Sequence, residues 1–454
     1  MQFSIPEEVL TIVSKVKNQG FDIYIIGGAV RDILMGRFVK DWDFTTNATP
    51  EKIQEIFDNT FYDNAFGTVG IPAKDPELKP FEITTYRTEF GYSDARRPDS
   101  VEWGKNLEED LSRRDFTINA IALEVIKSKP LETNLIDPFN GQKDIQEKLI
   151  RAVRDPNERF SEDALRMLRA IRIATQIGFA IEEKTLDGIK QNAMLINKIA
   201  KERIKDEFFK ILASPNPYEG TILMRASGLL EKILPELDKA FGIDQVSPQR
   251  HHIYDVGTHL LMSLKNCRSE NPITRFATLV HDIGKPQTYK KLDNGVITFY
   301  NHEVVGTAIA RRIADRLKFS NKEKEKFLKL VRWHQFTVNE NQTDTAIKRF
   351  IRNVGPENLE DIIHLRTADR LGSGARETSW RTEDFKKRLL DVQKEPFSIK
   401  DLKIGGNDVM KTLNLKPGPE VGKILGQLFK EVEEKNIPNE KEVLLKKLVD
   451  LHRQ

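Results

Sequence analysis

The chain has 454 residues, with 72 Lys and Arg against 69 Asp and Glu, which leaves a formal net charge of +3. This length predicts about three domains, and no stretch approaches the ~20 apolar residues that span a bilayer. A single cysteine, Cys267, excludes an internal disulfide framework and a cysteine zinc site. The N-terminus has no basic segment followed by a long apolar run, so we expect a cytoplasmic protein with no membrane partner.

The first part of the chain alternates strand-like and helical patterns. β-rich runs occupy 21–26, 42–46, 81–87 and 119–126. Turn formers cluster just before residue 143, which predicts an α+β portion over 1–143. This portion is net acidic, whereas the rest of the chain is net basic.

The remainder has almost entirely helical patterns. Residues 161–178 predict one helix, with Ser161 as its N-cap and Gly178 as its stop. Six of the eight histidines fall between 251 and 334, which indicates a separate module. We therefore divide the helical remainder into three portions, with a turn-like 403–410 and a helix over 439–451 in the last; their boundaries are 144–245, 246–394 and 395–454.

A glycine turn and a pair of carboxylates stand close together in the first portion. Gly27 and Gly28 follow a strand and open a helix, where backbone N–H groups can approach a phosphate and Arg31 can add charge. Asp41 and Asp43 are two residues apart in a β-like setting, so they should share a face and could share divalent metal ions. Together these features favour nucleotidyl transfer assisted by two metals.

Glu82, in the strand-like run 81–87, is the candidate third acid of this site. The alternative is a structural role, in which Glu82 forms a cross-strand salt bridge with Arg87 or another cation.

The run from Gly27 to Asp32, with Asp41 and Asp43, closely resembles the head domain of the class II tRNA nucleotidyltransferase and bacterial poly(A) polymerase family. The resemblance extends to LSRRDFTINAIA, residues 111–122. It implies a polymerase-β-like head with Mg²⁺ held by the carboxylates, and nucleotide contacts from Arg114 and Asn119. It also implies a flexible loop at 91–103, which favours addition of the complete CCA over addition of two cytidines.

Asp163, Arg166, Arg169 and Arg172 recur every three residues, so only the first three can share one helical face. Asp accepts from an exocyclic amino group and Arg donates to ring or carbonyl acceptors, which suits the Watson–Crick edge of a base. The family resemblance assigns base selection to Asp163 and Arg166, and places Arg169 and Arg172 at the nucleotide pocket or its support. Arg203 and Glu207 are i, i+4 residues that we interpret as mutually paired support.

The histidine-rich module resembles the HD phosphohydrolase-type domain. Imidazole and carboxylate groups suit a hydrolytic divalent metal of unspecified identity. The alternative is a degenerate module kept for packing or RNA contact. The candidate ligands follow the superfamily's order: His259, His281, Asp282, His302, His334 and Asp369.

The resemblances imply a chain with an α+β head carrying a small mixed sheet, an elongated all-α neck and body, an all-α HD domain and a helical tail. We expect template-independent addition of CCA to the 3′ end of tRNA from CTP and ATP. Family members that add only CC, only A or poly(A) remain alternatives. A different class, a phosphohydrolase acting on 2′,3′-cyclic phosphates or phosphomonoesters through the HD domain, also remains open.

Overall fold

The computed structural model describes residues 5–63, 67–90, 100–103, 106–245, 253–336, 342–392, 399–434 and 436–452. The chain forms two compact units. The first contains Met1–Lys239 and Ile313–Phe319, and the second contains Ala240–Arg312 and Ser320–Gln454. No helix within the described ranges combines the length and apolar character needed to cross a membrane.

A mixed seven-stranded sheet organises the start of the first unit. The strands of this part of the chain are β1 Ile23–Ile26, β2 Asp43–Thr46, β3 Phe61–Asp63, β4 Thr68–Ile71, β5 Phe81–Thr85, β6 Arg87–Phe90, β7 Ser100–Trp103, β8 Ala122–Ser128 and β9 Leu131–Ile136. The order of strands in the seven-stranded sheet is β3-β4-β5-β2-β1-β8-β9, in which β2 and β5 are parallel and the other neighbours antiparallel. The strands β6 and β7 form a separate antiparallel pair.

All four strand-like runs of the sequence therefore contain strands, which confirms the α+β head. Most of the predicted loop 91–103 lies outside the described residues; its last four form β7.

Five helices accompany the sheet. The first places Val9, Ile12, Val13 and Val16 on one stripe, because residues three and four apart share a helical face. This stripe joins the buried core that includes Phe44 of the sheet. The helices are α1 Glu7–Asn18, α2 Gly28–Leu34, α3 Pro50–Ile56, α4 Leu107–Ser112 and α5 Gly141–Glu147.

The rest of the first unit is helical apart from a short parallel pair, β10 Leu149–Ile150 with β11 Ala180–Ile181. The predicted stop at Gly178 is confirmed, since Gly178 adopts a left-handed conformation there. The helices are α6 Pro156–Glu162, α7 Leu165–Ile177, α8 Glu183–Asn192, α9 Lys201–Leu212, α10 Pro217–Ala226, α11 Leu229–Ile233 and α12 Pro235–Asp238.

The single helix predicted over 161–178 is wrong. The segment forms the end of α6 and all of α7, with Asp163 between them in an extended conformation at φ −138° and ψ 103°. Ser161 is not an N-cap, because α6 already begins at Pro156, capped by the Asp155 side chain. Aspartate side chains such as that of Asp163 tend to form hydrogen bonds with the nearby backbone, and these bonds compete with continuation of the helix.

The second unit carries a helical module and a helical tail. The module contains α13 Val256–Lys265, α14 Pro272–Val280, α15 Lys285–Thr288, α16 His302–Arg316, α17 Asn321–Trp333, α18 Asp344–Val354, α19 Leu359–Gly372 and α20 Trp380–Val392, with a short antiparallel pair, β12 Lys290–Lys291 and β13 Ile297–Thr298. The last turn of α16 groups with the first unit.

The tail packs α21 Gly406–Leu413, α22 Pro419–Glu433 and α23 Lys441–His452 around a core of its own. The predicted C-terminal helix is confirmed as α23. The turn predicted over 403–410 is wrong in its second half, because α21 begins at Gly406 and buries Val409 in that core.

Candidate active site

The glycine turn lies at the end of β1. Gly27 has φ 72°, a conformation in which a side chain is strained. A Cβ there would also lie 3.2 Å from Nη1 of Arg114. The glycine therefore lets the backbone pass close to Arg114, the arginine for which the family resemblance implies a nucleotide contact.

The strand register places two of the predicted acids side by side. Asp43, the first residue of β2, is the register partner of Glu82 on parallel β5 and of Ile26 on β1. Burial and the nearby Asp41 raise the pKa of Asp43 to about 6, with a further contribution from Glu82. The side chain of Arg87, the alternative partner of Glu82, lies outside the described residues.

Asp41 is placed differently from the expectation. It precedes β2 and is half exposed, and its Oδ2 lies 2.6 Å from Nζ of Lys79. Since Asp41 contributes to the raised pKa of Asp43, its charge is close to that carboxylate. Sequence reasoning missed Lys79, because nothing in local spacing links it to the Asp pair.

Arg114 also contacts a buried acid. The carboxylate of Asp110 in α4 is fully buried, 2.7 Å from Nη2 of Arg113 and 3.5 Å from Nη2 of Arg114. Nε of Arg114 is buried without a hydrogen-bond partner. A buried donor without a partner is costly, so this guanidinium is suited to an anionic ligand.

Asp163 is positioned by the break between α6 and α7. Its Oδ1 accepts from the backbone N–H of Leu165 at 3.0 Å, and its Oδ2 accepts from Nη2 of Arg203 at 3.1 Å. Arg203 therefore pairs with Asp163 rather than with Glu207, which corrects the expected i, i+4 pair. Nη1 of Arg203 is buried and has no partner.

Arg166, at the start of α7, donates to three acceptors, one of which is the carbonyl of Arg159 at 3.3 Å from Nη1. Nη1 donates to Glu162 at 2.7 Å, and Nη2 donates to the carbonyl of Arg113 at 2.9 Å. Glu162 also pairs with Arg159. The two residues assigned to base selection are thus held by separate neighbours.

Asp115, which the sequence analysis did not single out, anchors Arg169. Its Oδ2 lies 2.6 Å from Nη2 of Arg169, and its Oδ1 accepts from the Asn119 amide at 3.2 Å. Burial by itself would raise the pKa of Asp115, but Arg169 more than offsets this and holds the pKa well below its usual range. The Asn119 carbonyl accepts from Arg31 at 3.0 Å, so the network continues to the glycine turn.

These groups meet in a cavity of about 500 Å³. Asp43 and Glu82 line it from β2 and β5, and the remaining charged lining residues are five arginines with Asp115 and Asp163. Gly27, Gly28, Arg31, Asp41, Asn119 and Arg172 do not line it, and Arg172 pairs with Glu207 at 2.6 Å. The charged lining residues are Asp43, Glu82, Arg113, Arg114, Asp115, Asp163, Arg166, Arg169 and Arg203.

A second site in the other unit brings together all six predicted metal ligands. Asp282 is shared between two groups of side chains. Its Oδ2 lies 3.4 Å from Nε2 of His259 and 3.3 Å from that of His281. Its Oδ1 lies 3.1 Å from Nε2 of His302 and 3.4 Å from that of His334.

Asp369, on α19, completes the first of these groups. Its Oδ1 lies 3.3 Å from Nε2 of His259 and 3.6 Å from Nε2 of His281. The five ligands that precede it in the chain come from α13, the end of α14, the start of α16 and the end of α17.

Backbone contacts orient three of these imidazoles. Nδ1 of His281, His302 and His334 each lies 2.8 Å from the carbonyl oxygen three residues earlier. With that nitrogen donating, Nε2 of each ring keeps a lone pair that is available to a metal ion beside Asp282. The nitrogen and carboxylate donor set fits a divalent transition metal.

Comparisons with known proteins agree with this organisation. Residues 23–151 match a model described as "Poly A polymerase head domain", and 178–241 match "Probable RNA and SrmB- binding site of polymerase A". Residues 298–448 match a model of "tRNA nucleotidyltransferase domain 2".

Named relatives span nearly the whole chain. The CCA-adding enzyme of Ligilactobacillus salivarius is 33% identical over 98% of this chain and 98% of the relative. The crystal structure of the Bacillus stearothermophilus CCA-adding enzyme in complex with CTP has a TM-score of 0.70 at 28% identity, covering 98% and 97% of the two chains. A Thermotoga maritima CCA-adding enzyme complexed with tRNA has a TM-score of 0.56 at 18% identity, which supports the fold alone; it covers 98% and 96%.

The mixed sheet, its carboxylate pair and the arginine-lined cavity define a nucleotidyltransferase with a polymerase-type head, a class of enzyme that uses divalent metal ions. Within that class, the chain belongs to the family of CCA-adding enzymes. The family and fold expected from the sequence are thereby confirmed.

Proposed function

We propose that this nucleotidyltransferase completes the 3′ end of tRNA with C, C and A, taking CTP and ATP in the head cavity. The observation that carries the proposal is the composition of that cavity. Two of its acids, Asp43 and Glu82, are register partners on adjacent strands, and Asp163 and Arg166 offer an acceptor and donors that could meet the edge of a base. The relatives' names and the CTP complex of one relative support the same substrates.

The acids fit a magnesium site. Asp43 is buried beside Glu82, and burial together with the charges of Asp41 and Glu82 raises the pKa of Asp43 to about 6. Oxygen ligands of this type are those that Mg²⁺ prefers. Asp41, Asp43 and Glu82 would hold Mg²⁺, which would activate the attacking hydroxyl and neutralise the charge on the leaving pyrophosphate.

The chain's own groups would position the reactants. Arg114, with an unpaired Nε, would bind the triphosphate, and the Arg31–Asn119–Asp115 network would keep the glycine turn in place. The 3′ oxygen of the RNA forms a bond to the α-phosphorus, the bond to pyrophosphate breaks, and the hydroxyl proton leaves to water. Orientation and fixed charge supply most of the acceleration in such a transfer.

Base selection follows from the hydrogen-bonding capacity of the template pair. Cytosine and adenine both present an exocyclic amino group that can donate a hydrogen bond to Asp163. Arg166 can donate a second hydrogen bond to a neighbouring acceptor on the ring. Uracil and guanine present a carbonyl at the corresponding place, which would face a carboxylate. Asp163 also accepts from Arg203 at 3.1 Å, and an ionised carboxylate is a hydrogen-bond acceptor only.

The products of the reaction distinguish CCA addition from the alternative activities of the same family. The purified protein is incubated with tRNA lacking its 3′ end, Mg²⁺ and each labelled NTP, singly and together. Products ending in CCA are expected. Products ending in CC, in a single A or in a long A tail would identify the corresponding alternative, and no extension under any condition would contradict all of them.

A second candidate activity rests on the six-ligand His/Asp site. We propose that it binds a divalent metal and hydrolyses phosphoesters, such as 2′,3′-cyclic phosphates or phosphomonoesters. The orientation of the three imidazoles by backbone carbonyls supports this, since it prepares their Nε2 atoms for a metal. Ring opening of a 2′,3′-cyclic phosphate to a monophosphate, or phosphate release from a monoester, should require Mn²⁺, Ni²⁺, Co²⁺ or Mg²⁺. Either reaction should disappear in His281→Ala/Asp282→Ala, and hydrolysis retained in that variant would exclude the site.

These activities assign roles to the four portions of the chain. Residues 1–143 would carry the transfer chemistry and 144–245 the base-selecting segment and an RNA-binding surface. Residues 246–394 would carry the second metal site. The tail, 395–454, forms a core of its own. Comparing the tRNA affinity of the full chain with that of a chain truncated at residue 395 measures the contribution of the tail to tRNA binding.

A further inference from the structure

The cavity beside the His/Asp site continues toward a second cavity with a different charge. The first, of about 510 Å³, is lined by metal-ligand candidates including Asp282 and Asp369. The second, of about 490 Å³, shares Gln335, Arg366 and Arg370 with the first and adds Arg381. The part of the second cavity formed by described residues has three arginines and no carboxylate in its lining.

One helix connects the two ends of this double cavity. Arg366, Asp369 and Arg370 follow an i, i+3, i+4 spacing on α19, so they share a face. Nη1 of Arg366 lies 2.8 Å from Oδ2 of Asp369, whose Oδ1 faces His259 and His281. The carboxylate thus has one oxygen for a metal and one for an arginine, and this fixes Arg366 at the junction.

Arg370 is not neutralised in the same way. Its Nε donates to the carbonyl of Arg376 at 3.3 Å, and no carboxylate of the described chain lies within ion-pair distance of it. Among the described residues, the half-buried guanidinium of Arg370 has no counter-ion, so it adds a positive charge to the cavity beside Arg366 and Arg381. Planar guanidinium groups bind phosphate oxygens through paired hydrogen bonds.

We propose that this double cavity takes a phosphoester that carries a second phosphoryl group. The scissile phosphate would lie at the His/Asp cluster, and the second would be bound by Arg370 with Arg366 and Arg381. A nucleoside 3′,5′-bisphosphate unit has this chemistry, either as a free nucleotide or as the last residue of an RNA that ends in a 3′-phosphate. The proposal rests on the phosphohydrolase function proposed above.

The reaction at the scissile end would be simple hydrolysis. The oxygen of a water molecule forms a bond to phosphorus, and the ester P–O bond breaks. The leaving oxygen takes up a proton, so the products are inorganic phosphate and the alcohol that retains the second phosphoryl group. No co-reactant other than water is required.

Binding to the full-length, metal-free chain tests the recognition step without relying on turnover. Calorimetric titrations compare adenosine 3′,5′-bisphosphate with adenosine 3′-monophosphate in an Arg114→Ala background, which weakens binding in the head. The bisphosphate should bind at least ~10-fold more tightly, the effect of one charge-assisted contact. Arg370→Gln should reduce that preference to below ~3-fold, whereas the matched control Arg312→Gln, at an exposed arginine that lines neither cavity, should preserve it.

Equal affinity for the two ligands, or a preference unchanged in Arg370→Gln, would overturn the proposal. An Arg370-dependent preference without any phosphate release in the metal-loaded protein would retain the binding site and reject the hydrolytic function. An oligonucleotide ending in a 3′-phosphate provides the third ligand. If its affinity depends on Arg370, an RNA end is the supported source; if only the free bisphosphate shows this dependence, a small nucleotide is. Wild-type rates of tRNA extension in the Arg370→Gln chain with Arg114 intact would show that the variant is folded.

Discussion

Asp163→Asn tests whether the broken helix positions a base-selecting group. The substitution preserves the size of the side chain and changes its hydrogen-bonding capacity. In the wild-type chain, Oδ1 accepts from the N–H of Leu165 and Oδ2 accepts from Arg203. If the substituted side chain keeps its oxygen toward Leu165, its amide nitrogen would replace Oδ2, about 3 Å from the Arg203 donor, where two donors repel each other.

The change should therefore weaken cytidine selection in two ways. The acceptor for the exocyclic amino group is lost or turned away, and the amide nitrogen can donate to the carbonyl of uracil. Leaving one buried polar group unsatisfied costs about 1–3 kcal/mol, which corresponds to roughly 5- to 150-fold in kcat/KM. We expect the CTP-over-UTP ratio to fall by a factor in that range.

Single-turnover incorporation of CTP and of UTP onto tRNA lacking its 3′ end measures the ratio directly. Arg203→Gln added to Asp163→Asn removes one of the two repelling donors and should recover part of the CTP rate. The reasoning is refuted if Asp163→Asn discriminates against UTP as strongly as the wild-type chain while both remain folded by circular dichroism.

Three further predictions concern other parts of the molecule. Asp43→Asn should reduce nucleotide addition at least ~10³-fold with an unchanged melting curve, because one ligand of the proposed magnesium site loses its charge; substantial residual addition would reject that ligand. Asp115→Asn should lower the free energy of unfolding by about 2 kcal/mol at pH 7, since it removes a hydrogen-bonded charge from Arg169. Because the pKa of Asp115 is lowered in the folded protein, the difference in unfolding free energy between wild type and variant should be complete above the unfolded pKa of about 3.9 and shrink as the pH falls further. Urea melts at pH 7 and pH 3 measure this difference, and a value independent of pH would contradict the pairing. Asp282→Ala should abolish metal-dependent phosphate release and leave tRNA extension intact, and a parallel loss of extension would show that the second site does more than hydrolysis.

The head illustrates how far local sequence reasoning extends. The glycine turn, the Asp pair and the strand-like runs identified the α+β head and its chemistry, because turns and strand alternation are local properties. The sequence proposed Glu82 as a third acid of the site, but local spacing could not establish its proximity to Asp43. It follows in the structure from the parallel register of β2 and β5, strands that are far apart in the chain.

Residues 161–178, which contain the residues proposed to select the base, show where a prediction from helical periodicity is wrong. The three-residue spacing suggested one continuous helix with Asp163 in its first turn. The structure breaks at Asp163, whose side chain bonds to the backbone of Leu165 and to Arg203 of α9. Those contacts stabilise an extended residue that helical periodicity does not predict.

The sequence by itself determined which chemical groups this protein has: carboxylates of a kind that suits a hard cation, arginines that suit phosphate and base edges, and a set of histidines and aspartates that suits a second metal. It also determined most local structure, because capping residues, glycines and apolar periodicity act within a few residues. The tertiary structure alone decided which groups share a cavity. It turned Asp41 toward Lys79 and joined Asp115 to Arg169. It also placed Arg370, which has no carboxylate partner among the described residues, next to the metal-ligand cluster. Contacts of this kind depend on how distant segments pack, and local spacing carries no record of that packing.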